Sequence, residues 1–164
     1  MLLAKEAEAR ASSAKFLPAF FVEPLERGET IATDALPPHV ALYSEVNMLY
    51  RPKMDELVRF AVQGIAPHEI KLAERTYDDT NGSSTFRVMG SLSLSMTYRS
   101  LFTILQSFSR ETVQPFRPKI VVPQGPSQLH EDQHLSVNSI TVIETYAQTS
   151  DWEVVDVIPL RGKV

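Results

Sequence analysis

The 164 residues come close to the roughly 150 of one ordinary domain, and 43% apolar with 22% charged residues exclude both a disordered acidic tail and a fibrous repeat. Sixteen Lys and Arg against twenty Asp and Glu leave a formal charge of −4, which excludes a global positive field for a long nucleic-acid backbone, so any phosphate site has to be local. With no cysteine, disulfides, thiolate catalysis and cysteine-ligated zinc are excluded, and four histidines are the side chains that titrate near neutrality.

Residues 2–15 are rich in Ala, Glu and Lys, with Glu6 four before Arg10, which suits a short helical extension (1–15) leading into a single domain over 16–164. Residues 16–22 are β-prone despite Pro18, and a polar stretch follows to Pro37-Pro38. Residues 39–44 read as a second strand. Over 52–66, Met54, Leu57, Val58, Ala61, Val62 and Ile65 recur at helical spacing, with Pro52 near the start and Pro67 past the end. Residues 68–73 alternate, and Asp78, Asp79, Thr80, Asn81 and Gly82 separate them from a β-prone run at 85–96, which predicts a hairpin.

Tyr98, Leu101, Phe102, Leu105 and Phe108 predict a second amphipathic helix, stopped near Pro115. Residues 119–122 form a short apolar strand between Pro118 and Pro123, and after a loop with Gly125 and Pro126 two strands close the chain at 135–146 and 152–158. Two helices and about seven strands in this order predict an α+β fold with largely antiparallel sheet. Apolar stretches such as 19–22 and 140–143 are far too short to span a membrane, and the start carries Lys5, Glu6, Glu8 and Arg10 where a signal peptide would be apolar. The expectation is a soluble protein of the cytoplasm or another reducing intracellular compartment, with no membrane partner.

Pro38-His39-Val40-Ala41-Leu42 before the first helix and Pro118-Lys119-Ile120-Val121-Val122 after the second form a weak internal repeat. Strand side chains alternate, so His39 shares a face with Ala41, and Lys119 with Val121. If the halves pack about a pseudo-twofold, His39 and Lys119 point into one cleft.

Strand, Pro-His-strand, helix, hairpin, helix, Pro-x-strand and two closing strands resemble the two-histidine phosphoesterase superfamily, which includes 2′-5′ RNA ligases and cyclic nucleotide phosphodiesterases. The resemblance covers roughly residues 16–160 and rests on Pro37-Pro38-His39-Val40-Ala41-Leu42, on Phe116-Arg117-Pro118-Lys119-Ile120, and on the tail 135–145 followed by Trp152-Glu153-Val154. It implies a bilobal domain, two largely antiparallel sheets with flanking helices, and two His-x-Thr/Ser motifs facing each other across a groove. Of the four motif residues only His39 is present; Ala41, Lys119 and Val121 stand at the other three positions.

Opening a 2′,3′-cyclic phosphate needs one group to take a proton from the nucleophile and another to protonate the leaving oxygen. Two histidines with an ordinary pKa of about 6.5 suit both tasks, whereas a lysine, ordinarily at about 10.4, binds phosphate as a point charge and gives up its proton reluctantly. The resemblance therefore implies a degenerate module that binds the phosphate of an RNA end or nucleotide with little or no catalysis. A slow residual mechanism would use His39 as base, held neutral by the Lys119 cation, while Lys119 neutralises phosphoryl charge.

Tyr43, on the same predicted strand face as His39, and Phe116 with Arg117, before the Lys119 strand, would complete that site by stacking on a base or contacting phosphate, and Arg51 and Lys53 would extend a basic lip. The competing structural reading makes His39 a hydrogen-bonded strand-end histidine, Lys119 a solvated rim charge, and the aromatics, Trp152 included, packing residues. An active phosphodiesterase or ligase, and a noncatalytic assembly subunit with a protein partner, are the other two classes.

His130-Glu131-Asp132-Gln133-His134 has two histidines four apart, but Pro123, Gly125 and Pro126 before it favour a solvated loop over a helical metal site. Asp78 and Asp79 lack the ligand alternation of a calcium loop and read as turn formers. The six glycines match neither dinucleotide-binding nor P-loop spacing, and no GxSxG is present. No metal and no cofactor are expected.

Overall fold

The computed structural model describes residues 14–32, 37–43, 46, 50–89, 91–108, 116–125, 127–146 and 151–162. Residues 1–13 of the expected extension lie outside these; Ala14 and Lys15, its last two, already belong to β1 (Ala14–Phe21). In β1 the alternation of large apolar residues sends Phe16 and Phe20 to one core and Ala19 and Phe21 to another, because successive strand side chains leave opposite faces. Pro18 is tolerated inside the sheet by its position. Phe16 exchanges both backbone bonds with Val46, and Pro18 accepts only from Leu42 N, so its missing N–H falls where the neighbouring strand has ended.

β2 (Thr30–Ala32) is a short strand within a stretch expected to be irregular, brought to the sheet by buried Ile31. β3 (His39–Ala41) is shorter than its predicted 39–44. Helix α1 (Arg51–Val62) buries Met54, Val58, Ala61 and Val62 and stops at Gln63-Gly64, four residues before the predicted end. The predicted hairpin forms from β4 (His68–Tyr77) and β5 (Ser84–Met89), and Asp78 ties its turn by accepting from Thr80 N and Oγ1. Asn81 Oδ1 accepts from Ser83 N in the same turn.

The predicted β-run at 85–96 ends at Met89, and helix α2 (Leu92–Leu105) takes over. The Ser-Leu-Ser-Leu-Ser sequence imitates a strand, yet Ser91 Oγ accepts from Leu94 N as a helix cap, and burial falls on Leu94, Thr97, Leu101 and Leu105 at helical spacing. A 3₁₀ turn (Gln106–Phe108) follows. β6 (Lys119–Val122) matches its prediction. The run expected as one strand over 135–146 is two, β7 (His134–Val137) and β8 (Ser139–Tyr146), separated at Asn138, where the chain changes sheets. Buried Val137 and Ile140 stand three apart, a spacing no single strand presents on one face. β9 (Asp151–Pro159) closes the chain.

One sheet has the order β2-β9-β8-β1-β3 and the other β6-β5-β4-β7, and every strand pairing among the described residues is antiparallel. The edge strands β3 and β6 lie against each other. Counted outward from that junction, each sheet runs through four strands, with β2 added beyond β9, which is the two-lobed arrangement expected from the repeat. A shared core takes one face of each sheet together with both helices, and Ser100 Oγ of α2 donates to Ala61 O of α1 at 2.5 Å. Among the described residues, no helix is long and apolar enough to cross a membrane.

Residues 160–162 dock on the C-terminal end of α1. Leu160 is buried, Gly162 N donates to Ile65 O at 2.9 Å, and a Cβ on Gly162 would lie 2.4 Å from Gly64 O. Backbone lines that contact and cannot swing aside as a side chain does. Gly162→Ala is expected to destabilise the fold by about 1–3 kcal/mol, the range for overpacked sites, read as a lowered urea midpoint at unchanged m-value.

Candidate functional site

The site grows from the alternation at the β3/β6 junction. Val40 and Ile120 are buried in the shared core, so His39 and Ala41 on β3, and Lys119 and Val121 on β6, face away from it. The structure thus brings the matched strand starts to adjoining sheet edges on their non-core faces. Both expected hydroxyl positions present carbon: Ala41 is exposed and Val121 is 47% exposed.

His39 is half-buried. Its Nδ1 donates to Pro37 O at 2.9 Å, and this tautomer leaves Nε2 as the lone-pair nitrogen of the neutral ring. The ring stacks on Phe21, centroids 4.9 Å apart and planes 24° from parallel, since the β1/β3 register sets Phe21 opposite His39. Burial lowers the His39 pKa from its ordinary value, and the Pro37 carbonyl opposes this in part. The neutral form is therefore favoured by desolvation, and not by the Lys119 cation invoked from the sequence.

Phe21 belongs to a second apolar cluster with Ala19, Leu25, Ile31, Ile143 and Val154, against which Leu17, Trp152 and Val157 pack. It occupies the His39 side of the first sheet, and Leu25 and Ile31 reach it from the segment after β1. Trp152 is a packing residue, as its position at a strand start suggested. The same face of the second sheet is polar. Lys119 stands directly opposite Arg87, whose guanidinium grips Glu74 through Nε (2.6 Å) and Nη2 (3.0 Å) and holds that carboxyl down to about 2. Arg117 is exposed two residues before Lys119.

The aromatic residues expected to stack on a base turn inward. β3 ends at Ala41, so strict alternation no longer applies, and Tyr43 is buried with its ring 6.3 Å from Phe102. Phe116 lies parallel to Tyr98 at 4.4 Å, and Tyr98 neighbours Phe102 at 6.2 Å. The ladder Tyr43–Phe102–Tyr98–Phe116 ties the chain leaving β3 to the chain entering β6 through α2, which makes these rings structural. Arg51 is no basic lip. It binds Glu144 and Glu153 on the core side of the first sheet, and Lys53 pairs with Glu56 at 3.7 Å.

The segment around His130 and His134 braces the β4 bulge: Leu72 N donates to Gln133 O, Asp132 N to Leu72 O, and Arg75 N to Glu131 Oε1. Among the described residues no group of three or more His, Asp or Glu is placed to hold a metal ion. Sequence reasoning missed Phe21 and Arg87. The signal for both was pairing register, since each stands directly opposite a residue it had singled out.

With the folded pKa of His39 below the unfolded value of about 6.5, the unfolded chain binds more protons as pH falls past that value, and stability decreases with acidification until the folded pKa is reached. Urea unfolding of the protein and of His39→Gln between about pH 7 and about pH 5 is expected to show a shallower loss in the variant.

No family model and no curated protein sequence matches the chain. Among solved structures, TT0787 of Thermus thermophilus is similar with a TM-score of 0.61 and 14% identity over 92% of this chain and 100% of that one. E. coli LigT complexed with NADP+ is similar with a TM-score of 0.59 and 13% identity over 91% and 98%. A phosphoesterase gives 0.58 and 13% over 89% and 98%. Identity at this level speaks for the fold alone, here two antiparallel sheets meeting along β3 and β6 with two helices packed on them. The chain has a LigT-like fold.

Proposed function

We propose that this domain binds the phosphate of a nucleotide or RNA end at the β3/β6 junction and turns it over slowly or not at all. The observation that carries the reading is the placement of His39 and Lys119 on the non-core faces of adjoining edge strands. Arg117, exposed two residues before Lys119, adds positive charge on that side, whereas Arg87 opposite Lys119 is already neutralised by Glu74. Structures of E. coli LigT complexed with phosphate, 3′-AMP and ATP support a nucleotide phosphate as ligand class.

The loss of turnover rests on chemistry. Neutral His39, with Nε2 free to accept, is equipped to take a proton. The return proton would have to come from Lys119, an ammonium that holds its proton at neutral pH. With Ala41 and Val121 in place of hydroxyls, two donors that would fix the phosphoryl oxygens are also missing.

A second reading, a structural subunit with a retired groove, is favoured by the apolar cluster that fills the His39 side of the first sheet and by Phe21 stacked on the imidazole. One assay separates the readings. The protein, His39→Ala and Lys119→Ala are titrated with a short RNA ending in a 2′,3′-cyclic phosphate and followed for ring opening. Binding without turnover is expected, weakened about tenfold by Lys119→Ala, the size of one charge-assisted hydrogen bond. Turnover lost in His39→Ala would make the domain an enzyme with an unusual lysine partner. Absence of binding would leave the structural reading.

A further inference from the structure

The hairpin turn between β4 and β5 holds a reactive pair, Asn81 and Gly82, that the β3/β6 junction does not use. Asp78 N donates to Ser83 O and Gly82 N to Asp78 O, both at 2.9 Å, while Asn81 Oδ1 accepts from Ser83 N at 2.9 Å. Gly82 has a φ of 72°, and a Cβ there would lie 2.7 Å from the Gln124 side chain, so the turn requires glycine at this position. That requirement puts the amide nitrogen after Asn81 on a residue with no side chain to keep it away from Asn81 Cγ. Both residues are exposed.

The turn's own hydrogen bonds act on this pair in opposite directions. Ser83 N–H, aimed at Asn81 Oδ1, is placed to stabilise negative charge that develops on that oxygen when Cγ is attacked. The bond from Gly82 N to Asp78 O holds the attacking nitrogen back until the turn opens, and exposed turn bonds open at small cost in free energy. The bond to Asn81 Oδ1 spans only two residues, so it can persist while the wider one to Asp78 O is broken. Asn138 offers the contrast: it is also exposed, but Ser139 follows it and its carbonyl accepts from Leu160 N between two strands.

We propose that Asn81 is a site at which this chain modifies itself, through a cyclic imide with Gly82, and that the product opens the hairpin turn. Hydroxide removes the Gly82 N–H proton, the nitrogen forms a bond to Asn81 Cγ, and the bond from Cγ to the side-chain nitrogen breaks, that nitrogen leaving as ammonia after taking a proton from water. Water then adds to either imide carbonyl and breaks its bond to the Gly82 nitrogen. Breakage at Cγ gives aspartate, and breakage at the Asn81 backbone carbonyl gives isoaspartate. Either product sets a new carboxylate beside Asp78 and Asp79, whose like charges repel it. Isoaspartate also lengthens the main chain by a carbon atom, which displaces the bonds that tie Asp78 to Gly82 and Ser83.

The full chain is incubated in mildly alkaline buffer, folded and unfolded in urea, and peptide mapping by mass spectrometry follows the amide-to-acid change at Asn81 and Asn138. In the folded protein Asn81 is expected to convert while Asn138 stays intact, at a rate that rises with hydroxide concentration and is higher still in urea. Asn81→Ser abolishes the change. Asp78→Ala, which removes the bonds from Thr80 N and Oγ1 and loosens the turn, speeds conversion at Asn81. Both substitutions fall on exposed turn residues, and circular dichroism checks their folding. The isoaspartyl fraction, separated by ion exchange on its added charge, is expected to unfold at a lower urea midpoint than the unmodified protein.

Asn81 intact in the folded protein but converted in urea means that the turn seals the pair, and overturns the proposal. Conversion of Asn138 at the same rate in the folded protein also overturns it, because the turn then confers nothing. A rate indifferent to hydroxide removes the imide route, and an isoaspartyl fraction as stable as the starting protein removes the opening of the turn.

Discussion

The constraint on which the rest of the structure depends is a single apolar core shared by two sheets. Each sheet offers it one face, and because strand side chains alternate, the choice of what is buried dictates what is displayed. Val40 in the core forces His39 outward, and Ile120 and Val122 do the same for Lys119 and Val121. A one-residue slip in β3 or β6 would bury the polar side chain and expose the aliphatic one. The placement of the site is thus a by-product of core packing.

Helix α1 is fastened to the first sheet by charge as well as by apolar contact. Glu144 and Asp156 are buried on the core side, and Arg51 and Arg59 reach down from the helix to pair with them; Arg51 also takes Glu153, and Arg59 takes Asp55. Burial and the nearby Asp156 push the Asp55 pKa up. Burial alone would raise Asp156 too, but hydrogen bonds to Asp55, Arg59 and its neighbour's N–H bring it below its ordinary value. Asp55 Oδ1 is buried without a hydrogen-bond partner among the described residues. Losing an arginine here would strand a buried carboxylate, which costs far more than an exposed pair contributes.

Most elements were legible because their periodicity agreed with their fate. Helix α1, the hairpin, β6 and the closing strands follow apolar spacing and turn chemistry. The reading failed where local pattern and tertiary use diverge. Ser-Leu-Ser-Leu-Ser alternates like a strand yet starts α2, leaving Leu92 78% exposed, and the change of sheet at Asn138 is decided by which strands await on either side. At the site, the outward faces of His39 and Lys119 were readable from alternation alone. Tyr43 was misread because alternation was carried past the end of β3, and Phe21 and Arg87 were invisible because register across strands is a long-range property.

The two sides of the groove differ in character. On the first sheet, apolar side chains close over the surface beside His39, and desolvation that keeps the imidazole neutral also weakens its attraction for an anion. On the second sheet Lys119 stays exposed beside the Arg87–Glu74 ion pair, where water screening limits the strength of any one cation. Acid–base catalysis needs two groups of matched pKa, whereas anion binding needs charge on only one side. On the reading proposed above, a lysine at one position and a half-buried histidine of lowered pKa at the other suit the second requirement better than the first. The physical chemistry of such a pair therefore sets different demands for holding a ligand and for converting it.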